Sequence, residues 1–362
     1  DFHKISSFDW ICEAVIEKLE VNKDIFEKIN QFRNKDSLIS SNTSGIPLKD
    51  ITENLDEHFL TQVCITHFFN PVKIMKLCEL IPGKLTSKNT INVLKNFLTI
   101  EMEKGVVNAK DTVNFIGNRI GCFFMLKGLH EAKIARKEGL SVEEIDSLLS
   151  KPVGLPPTGL YGLIDLIGLD VMYAVGKNLE NNLPKEDEGL KYVSLPDEEL
   201  HMYKKGQLGR KSGGGFYRVN VLSDGHKTKQ AYDPSTKQWH DAIMINTYSD
   251  FESKLYFDNT KQGNLVWNIM ASTLLYAADL IPEIADDIVN IDRAMKWGFA
   301  WQLGPFEMLD KIGIQNTIIA CREKGVRIPR MLKLCEENGF NNFYKNGSYL
   351  SSEGVYKSID AL

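Results

Sequence analysis

A histidine and a glutamate in two successive apolar runs are the first candidates for chemistry in this sequence. His67 follows Val63 and Ile65 at intervals of two, so a strand over residues 59–68 would place these three side chains on one face. Glu79 has the same spacing in a second apolar run with Met75, Leu77 and Ile81. An unpaired carboxylate buried there would cost several kcal/mol. We therefore expect an imidazole from a neighbouring strand to pair with it, so that the carboxylate orients the histidine as a general base.

The composition excludes several classes of partner. The chain has 362 residues, which is enough for two or three domains that each have a core. Its 43 basic and 48 acidic residues give a net charge of -5. This near balance favours neither a nucleic-acid backbone nor an anionic membrane as the main partner.

The cysteines and the hydropathy of the chain indicate a soluble protein in a reducing compartment. The six cysteines are widely spaced, lie mostly in apolar runs and form no CxxC pair, which favours reduced core thiols over a disulfide or a metal site. No stretch reaches the roughly 18 apolar residues that a membrane span needs. We therefore predict a cytoplasmic protein with no bound metal and no membrane span.

The first hundred residues alternate short apolar runs with amphipathic ones, as parallel β and α units do. The predicted strands cover residues 8–15, 37–44 and 105–112. The predicted helices cover residues 19–32 and 86–104, the second with a cap at Ser87. Strand 37–44 ends in small polar residues, and the carboxyl ends of strands are where α/β sheets bind ligands.

Long helices follow from about residue 113. A helix is predicted over 114–139, and Ser141 with Glu144 forms the capping-box pattern that begins the next helix. Residues 204–240 are rich in glycine and polar residues and are interpreted as a linker or an ordered binding loop. Helical periodicity resumes near residue 256. The predicted domains are therefore 1–112, 113–203, 204–255 and 256–362.

The two helical regions contain a weak internal repeat. GLYGLIDLIG (159–168) aligns with GPFEMLDKIG (304–313) at two glycines, an aromatic residue and an aspartate. An alanine-containing helix and an Ile-Asp pair precede both copies at similar spacing. We therefore predict that residues 113–203 and 256–362 are two copies of one helical module.

Six further segments form a pattern in order and spacing. They are EAVIEKLEVNKDIF (13–26), SSNTSGIPL (40–48), HFFNPVKIMKLCELI (67–81), KDTVNFIGNR (110–119), GLYGLIDLIGLD (159–170) and LGRKSGGGFY (208–217). Together they resemble the L-3-hydroxyacyl-CoA dehydrogenases of fatty-acid β-oxidation. The resemblance implies NAD-dependent oxidation of L-3-hydroxyacyl-CoA to 3-ketoacyl-CoA. The fold it implies is the carboxyl-terminal half of a Rossmann-like NAD-binding domain followed by two repeated helical dehydrogenase domains.

The resemblance also implies the catalytic roles. His67 is the implied general base that removes the proton from the 3-hydroxyl group, and Glu79 orients it. Ser44 matches a serine that hydrogen-bonds the substrate near the reacting carbon, and Asn118 an asparagine that steadies the charge developing on the substrate oxygen. Asn70 would line the same pocket. Considered alone, Ser44 could be a turn serine, Asn118 a helix-surface amide and His67 a core histidine.

On the cofactor side, Ala14, Glu17 and Asn42 match positions that line the nicotinamide and its ribose, and Lys211 matches a lysine near the cofactor. The alternative for Glu17 is a solvated carboxylate at a helix N-terminus, and the alternative for Lys211 is a residue of a plain flexible loop. One position departs from the family, because Asn22 stands where many members have a lysine.

The glycine-rich turn of a dinucleotide fold is missing from the sequence. The first glycine is Gly45, so no GxGxxG follows an opening strand. We interpret the chain as an N-terminally truncated dehydrogenase that is inactive alone, or as a non-catalytic acyl-CoA-binding or assembly module. Multidomain relatives suggest that an enoyl-CoA hydratase domain follows in the parent protein. Because single-module relatives pair through their helical domains, the two modules are expected to pack as an intrachain pseudo-dimer.

Overall fold

The computed structural model describes residues 2–221, 226–245 and 250–361, so parts of the predicted 204–255 loop lie outside the described residues. The chain forms two compact units, each built from separate stretches of sequence. The first unit comprises Asp1–Arg119, Leu280–Phe299 and Ser351–Leu362. The second unit comprises Ile120–Asp279 and Ala300–Leu350. The predicted domains follow sequence modules, whereas these units follow packing, and the two divisions differ most over residues 280–299.

The described strands are β1 (Trp10–Glu13), β2 (Leu38–Ser41), β3 (Val63–Phe68), β4 (Leu77–Pro82), β5 (Gly105–Asn108), β6 (Tyr217–Val221), β7 (Lys227–Asp233), β8 (Gln238–Asp241), β9 (Tyr344–Lys345), β10 (Ser348–Leu350) and β11 (Tyr356–Ser358). The described α-helices are α1 (Leu19–Phe32), α2 (Leu48–Ile51), α3 (Glu57–Thr61), α4 (Lys88–Ile100), α5 (Gly117–Lys137), α6 (Val142–Leu148), α7 (Gly159–Ile167), α8 (Leu169–Asn182), α9 (Asp197–Lys204), α10 (Lys261–Val266), α11 (Ser272–Asp279), α12 (Ile288–Gly298), α13 (Pro305–Ile312), α14 (Ile314–Glu323) and α15 (Arg330–Asn338).

A five-stranded sheet in the order β1-β2-β3-β4-β5 forms the centre of the first unit. Strands β1, β2 and β3 are parallel, as are β4 and β5, but β3 and β4 are antiparallel. The expectation of purely parallel units is therefore wrong at this pair. The connection over residues 69–76 is too short for the crossover that parallel strands require, so the chain turns back on itself.

Two predictions made from short stretches of sequence in the first unit, helix α1 and the cap of α4, are confirmed. Helix α1 covers the predicted residues 19–32, and the Ser87 side chain caps α4 by accepting a hydrogen bond from the Thr90 amide (3.1 Å). The strand predicted over 59–68 begins later, at Val63. Asp56 caps the short helix α3, which takes up the preceding residues.

Residues 280–299 complete the first unit beside the edge strand β5. The side chain of Asn290 in α12 accepts a hydrogen bond from the Asn108 amide (2.9 Å), and the Lys110 amide donates to the carbonyl oxygen of Ile284 (2.9 Å). The Trp297 ring lies so close to Gly105 that a Cβ at that glycine would overlap it. These contacts cover an edge that would otherwise present unpaired backbone groups.

The second unit is mainly helical. The predicted capping box is confirmed at the start of α6, where Ser141 accepts from the Glu144 amide (3.1 Å) and the Glu144 side chain accepts from the Ser141 amide (2.8 Å). The interpretation of residues 204–240 as a linker or loop is wrong in part, because β6, β7 and β8 form an antiparallel sheet there. Residues 222–225 and 246–249 of that region are not among the described residues.

All six cysteines are free thiols, and five of them are buried. Among the described residues no single helix is long and apolar enough to cross a membrane, although α7 and α8, bent by 89° at their junction, meet the length and composition requirement together.

Candidate active site

His67 and Glu79 lie directly opposite each other in the antiparallel pair of β3 and β4. The imidazole Nδ1 lies 2.6 Å from Oε2 of Glu79, and the carboxylate is fully buried. The other carboxylate oxygen, Oε1, accepts hydrogen bonds from the backbone amides of Ile116 (3.0 Å) and Gly117 (2.8 Å). Glu79 therefore has partners on both oxygens, and Nε2 of His67 is the ring nitrogen left to exchange a proton with a reactant.

A strained turn aims those two backbone amides at the carboxylate. Asn114 and Phe115 precede α5 and adopt positive φ angles of 59° and 52°. This left-handed conformation is unfavourable for a bulky residue such as Phe115 and persists only where the surroundings impose it. The turn places the positive end of the α5 dipole at Glu79, which stabilises the ionised carboxylate.

Two aromatic rings flank the imidazole. The Phe69 ring meets His67 edge to face at a centroid distance of 4.8 Å, and the Phe115 ring lies 5.4 Å away. Because Phe115 is buried, it also shields this side of the His67–Glu79 pair from water.

Glu17 organises the turn that follows β2. Its carboxylate accepts hydrogen bonds from the Thr43 hydroxyl (2.7 Å), the Ser44 hydroxyl (2.9 Å) and the amides of Ser44 (2.9 Å) and Gly45 (2.7 Å). Partial desolvation alone would raise the pKa of Glu17, but these donors outweigh it and lower the pKa below its ordinary value. Two predicted site residues, Glu17 and Ser44, are thus in direct contact.

Asn42 links the end of β2 to the end of β3. Its side-chain oxygen accepts a hydrogen bond from the Phe68 amide (3.0 Å), the residue after His67. Ala14, at the end of the neighbouring strand β1, is exposed. The carboxyl ends of these three parallel strands therefore collect Ala14, Asn42 and His67 at one edge of the sheet.

Sequence reasoning missed Glu13, which is buried at the end of β1. Its carboxylate accepts from the Ser41 hydroxyl (2.5 Å) and from the Val15 amide (2.5 Å). Glu13 thus joins β1 to β2 where the strands meet the site. A charged residue inside the apolar run FDWICEAV was the available signal, the same kind that pointed to Glu79.

Of the two predicted asparagines of the substrate pocket, Asn70 lies between His67 and Glu79 along the chain and Asn118 follows them. Asn118 is half-buried in the first turn of α5, next to Gly117. Asn70 is exposed and follows Phe69, whose ring contacts His67.

Lys211 contacts a side chain of the second unit. Asn22, which stands where many family members have a lysine, contacts the backbone ahead of α1. Lys211 belongs to the second unit, where its ammonium pairs with Asp170 (2.6 Å). Asn22 is buried, and its amide donates to the carbonyl oxygens of Ile16 (3.3 Å) and Lys18 (2.9 Å), ahead of α1.

Comparisons with known proteins decide the family. Residues 1–112 match the NAD-binding domain of 3-hydroxyacyl-CoA dehydrogenase, and residues 115–219 match its C-terminal domain. A 3-hydroxybutyryl-CoA dehydrogenase of Clostridioides difficile is 33% identical over 221 residues, which cover 61% of this chain and 74% of that relative. The chain belongs to the 3-hydroxyacyl-CoA dehydrogenase family. The predicted family, its Rossmann-like and helical domains and NAD as its cofactor are thereby confirmed.

Two further similarities cover more of the chain. A probable 3-hydroxyacyl-CoA dehydrogenase of Bacillus subtilis is 36% identical over 369 residues, which cover 99% of the chain but 46% of that relative. The chain thus spans less than half the length of this relative. The crystal structure of an Escherichia coli 3-hydroxybutyryl-CoA dehydrogenase superposes with a TM-score of 0.66 over 92% of this chain and 82% of its own, at 22% identity. That similarity concerns the fold alone.

The residues at the strand ends suit one end of the NAD molecule. Glu17, Asn42 and Ser44 offer a carboxylate, an amide and a hydroxyl, which are the groups that bind ribose hydroxyls and a carboxamide. Because Glu17 and Ser44 are tied together by hydrogen bonds, they present these groups in a fixed arrangement. The chemistry of these three residues is therefore of the kind that a nicotinamide and its ribose require.

Proposed function

We propose that this chain carries the catalytic part of an NAD-dependent L-3-hydroxyacyl-CoA dehydrogenase of fatty-acid β-oxidation. The observation that supports it is the His67–Glu79 pair, in which one imidazole nitrogen is engaged and the other is left for a reactant. A module that only binds acyl-CoA has no use for a buried carboxylate with a partner on each oxygen. The pair lies at the carboxyl end of β3, where ligands of such sheets bind.

The proposed mechanism uses the imidazole as a base. Nε2 of His67 accepts the proton of the substrate's 3-hydroxyl group as the C3–O bond becomes a carbonyl. The Nδ1–H group donates to Glu79, whose charge stabilises the imidazolium that forms. NAD, when bound, supplies the acceptor for the hydride that leaves C3. In the reverse reaction the imidazolium returns the proton to the carbonyl oxygen.

The remaining site residues would hold the reactants. We assign Asn118 to the substrate oxygen, because it lies beside the amides that bind Glu79, and Ser44 and Asn70 to the rest of the acyl-CoA pocket. Glu17, Asn42 and Ala14 would hold the nicotinamide and its ribose at the strand ends. Lys211 keeps its proposed cofactor role only in a state in which it leaves Asp170.

The test is reduction of acetoacetyl-CoA by NADH, catalysed by the natural protein. His67→Gln should lower kcat by about 10²–10⁴ and leave KM nearly unchanged, because a positioned acid–base group acts mainly in the transition state. His130→Gln is the matched control, since Nε2–H of that histidine donates to the carbonyl oxygen of Ser194 (2.8 Å) in the second unit. Binding of acyl-CoA with no turnover in the unaltered protein would support the assembly-module alternative instead.

We also propose that residues 256–362 repeat the module of 113–203. In the first copy Asp165 of α7 accepts from the amides of Phe216 (2.8 Å) and Tyr217 (2.7 Å). The Tyr161 ring, one turn earlier in α7, packs on the Phe216 ring at 4.4 Å. These hydrogen bonds and this ring contact hold helix α7 to the start of β6.

The second copy has hydrogen bonds and a ring contact of the same kind. Asp310 of α13 accepts from the amides of Phe343 (2.6 Å) and Tyr344 (2.9 Å), at the start of β9. The Phe306 ring, again one turn earlier, packs on Phe343 at 4.9 Å. An aspartate that binds a Phe-Tyr pair in both regions supports common ancestry of the two modules.

Contacts inside the second unit support the proposed pseudo-dimer of modules. The rings of Phe123 and Tyr276 stack at a centroid distance of 4.0 Å, and Phe124 meets Trp301 edge to face at 5.9 Å. On this proposal the domains are 1–112, 113–203, 204–255 and 256–362. A cytoplasmic location and fusion to an enoyl-CoA hydratase remain predictions from the resemblance.

A further inference from the structure

The ring of Phe69 lies in a slot between two glycines of the first unit. A Cβ at Gly117, the first residue of α5, would come within 2.7 Å of Cζ of Phe69. A Cβ at Gly298, the last residue of α12, would come within 3.3 Å of its Cε1. Both glycines leave space that the ring fills, so the position of Phe69 depends on two elements far apart in sequence.

Phe69 joins His67 to the end of α12. Its ring meets the imidazole edge to face at 4.8 Å and meets Phe299 in the same way at 5.9 Å. Phe299 is itself buried, with 9% of its surface exposed. The three rings form a continuous row from the imidazole to residues more than 200 positions later in the chain.

Helix α12 is held firmly enough to act as a support. Its first turn bonds to β5 through Asn290 and Asn108, and its last turn packs Trp297 against Gly105. The Lys76 ammonium also lies over the Trp297 ring, 5.0 Å from the centroid. Both ends of α12 are therefore fixed to the sheet that carries His67.

The hydrogen bond to Glu79 does not by itself determine where Nε2 points. One contact at Nδ1 fixes a single atom of the imidazole and leaves the ring free to tilt about it. A ring packed against each side removes that freedom, and Phe69 and Phe115 supply the two rings.

We infer that Phe69 is a positioning residue for His67, and that Phe299 at the end of α12 sets the position of Phe69. The inference rests on the proposed function, in which Nε2 of His67 accepts the substrate proton. It assigns to residues 280–299, which lie beyond the two matched dehydrogenase domains, a direct part in aligning the base.

The experiment compares three variants of the natural protein. Phe299→Leu keeps an apolar side chain of similar size but removes the aromatic edge, and Phe299→Tyr retains the ring. Phe59→Leu is the matched control, because it removes one buried ring of another edge-to-face pair in the first unit, with Phe26 at 5.9 Å. Phe299→Leu should lower kcat for acetoacetyl-CoA reduction by about threefold to tenfold with KM unchanged, since small misplacements of a catalytic group act on turnover. Phe299→Tyr should keep kcat near that of the unaltered protein, and Phe59→Leu should lower the melting temperature without this loss of turnover.

NMR of the imidazole protons supplies a readout that does not depend on activity. The Phe69 ring current acts on the His67 ring protons, so their resonances should move in Phe299→Leu and stay in place in Phe59→Leu. Unchanged resonances and unchanged kcat in a folded Phe299→Leu protein would overturn the inference. An unaltered protein without dehydrogenase activity would instead refute the proposed function, and the NMR comparison would still decide the positioning role.

Discussion

Replacing Glu79 by glutamine tests the proposed base with almost no change of volume. In the native pair one carboxylate oxygen faces Nδ1 of His67 and the other accepts from the amides of Ile116 and Gly117. A glutamine has one oxygen and one NH2 group for these two positions. If its oxygen serves the backbone amides, its NH2 faces Nδ1, which must then accept. The proton of the neutral ring moves to Nε2, so the ring cannot take a proton from the substrate.

The size of the expected loss in kcat follows from the opposite orientation of the glutamine side-chain amide. It restores the productive tautomer of His67 but turns the NH2 group toward two buried backbone donors. Leaving each unsatisfied costs about 1–3 kcal/mol, or about 2–6 kcal/mol for the two. Since about 1.4 kcal/mol corresponds to a factor of ten, this orientation is populated roughly 30-fold to 10⁴-fold less. We therefore expect Glu79→Gln to lower kcat by about 30-fold to 10⁴-fold.

The assay is steady-state reduction of NAD with an L-3-hydroxyacyl-CoA in the natural protein, with kcat and KM measured separately, because in this direction His67 must take the substrate proton. Glu199→Gln is the matched control, because Glu199 is equally buried and pairs with Arg136 (3.1 Å) in the second unit. That control should lose stability but keep its turnover. A Glu79→Gln enzyme that folds and keeps kcat within about threefold of the unaltered protein at every pH would refute the reasoning.

Three further predictions concern binding and stability. The 362 residues contain no GxGxxG turn, so they should bind NADH at least ~100-fold more weakly than a 3-hydroxyacyl-CoA dehydrogenase that has this turn, a difference of ~2.7 kcal/mol; equal affinities in calorimetric titrations would contradict this. Asn42→Ala should lower the free energy of unfolding in urea by about 1–3 kcal/mol, because the Phe68 amide loses its acceptor, whereas Asn42→Asp should lower it less. Burial raises the pKa of Asp165 to about 6 from 3.8. The protonated carboxyl of Asp165 is therefore favoured in the folded state. The free energy of unfolding should fall by up to about 3 kcal/mol as the pH rises from about 4 to about 6. This fall should be smaller in Asp165→Asn, and a fall of the same size in the variant would contradict the prediction.

The parts of this structure that were predictable are those specified by neighbouring residues. The apolar spacing of α1 and the caps at Ser87 and Ser141 act within one or two helical turns, and they were predicted at the correct positions. The pairing of His67 with Glu79 was also predictable, because a buried carboxylate demands a partner. Their cross-strand register follows from the short connection between β3 and β4.

The parts that were missed depend on residues distant in sequence. The strand β6 lies in a glycine-rich segment, and Asp165 from another element binds the amides at its start. The two amides that complete the Glu79 site are exposed by the unusual backbone of Asn114 and Phe115, which no propensity favours for phenylalanine. Residues 280–299 pack into the first unit, and no pattern among neighbouring residues in the sequence predicts this packing.

The discontinuous make-up of the first unit affects how it must form during synthesis. A ribosome produces His67 and the five strands early, but residues 120–279 must follow before α12 and Phe299 emerge. At about 5–20 residues per second, this delay is on the order of ten to thirty seconds. Throughout it, the edge of β5 and the hollow beside Gly105 have no cover, and exposed strand edges of this kind associate readily with other chains. The nascent amino-terminal half is therefore expected to depend on chaperones until the residues that complete it have been translated.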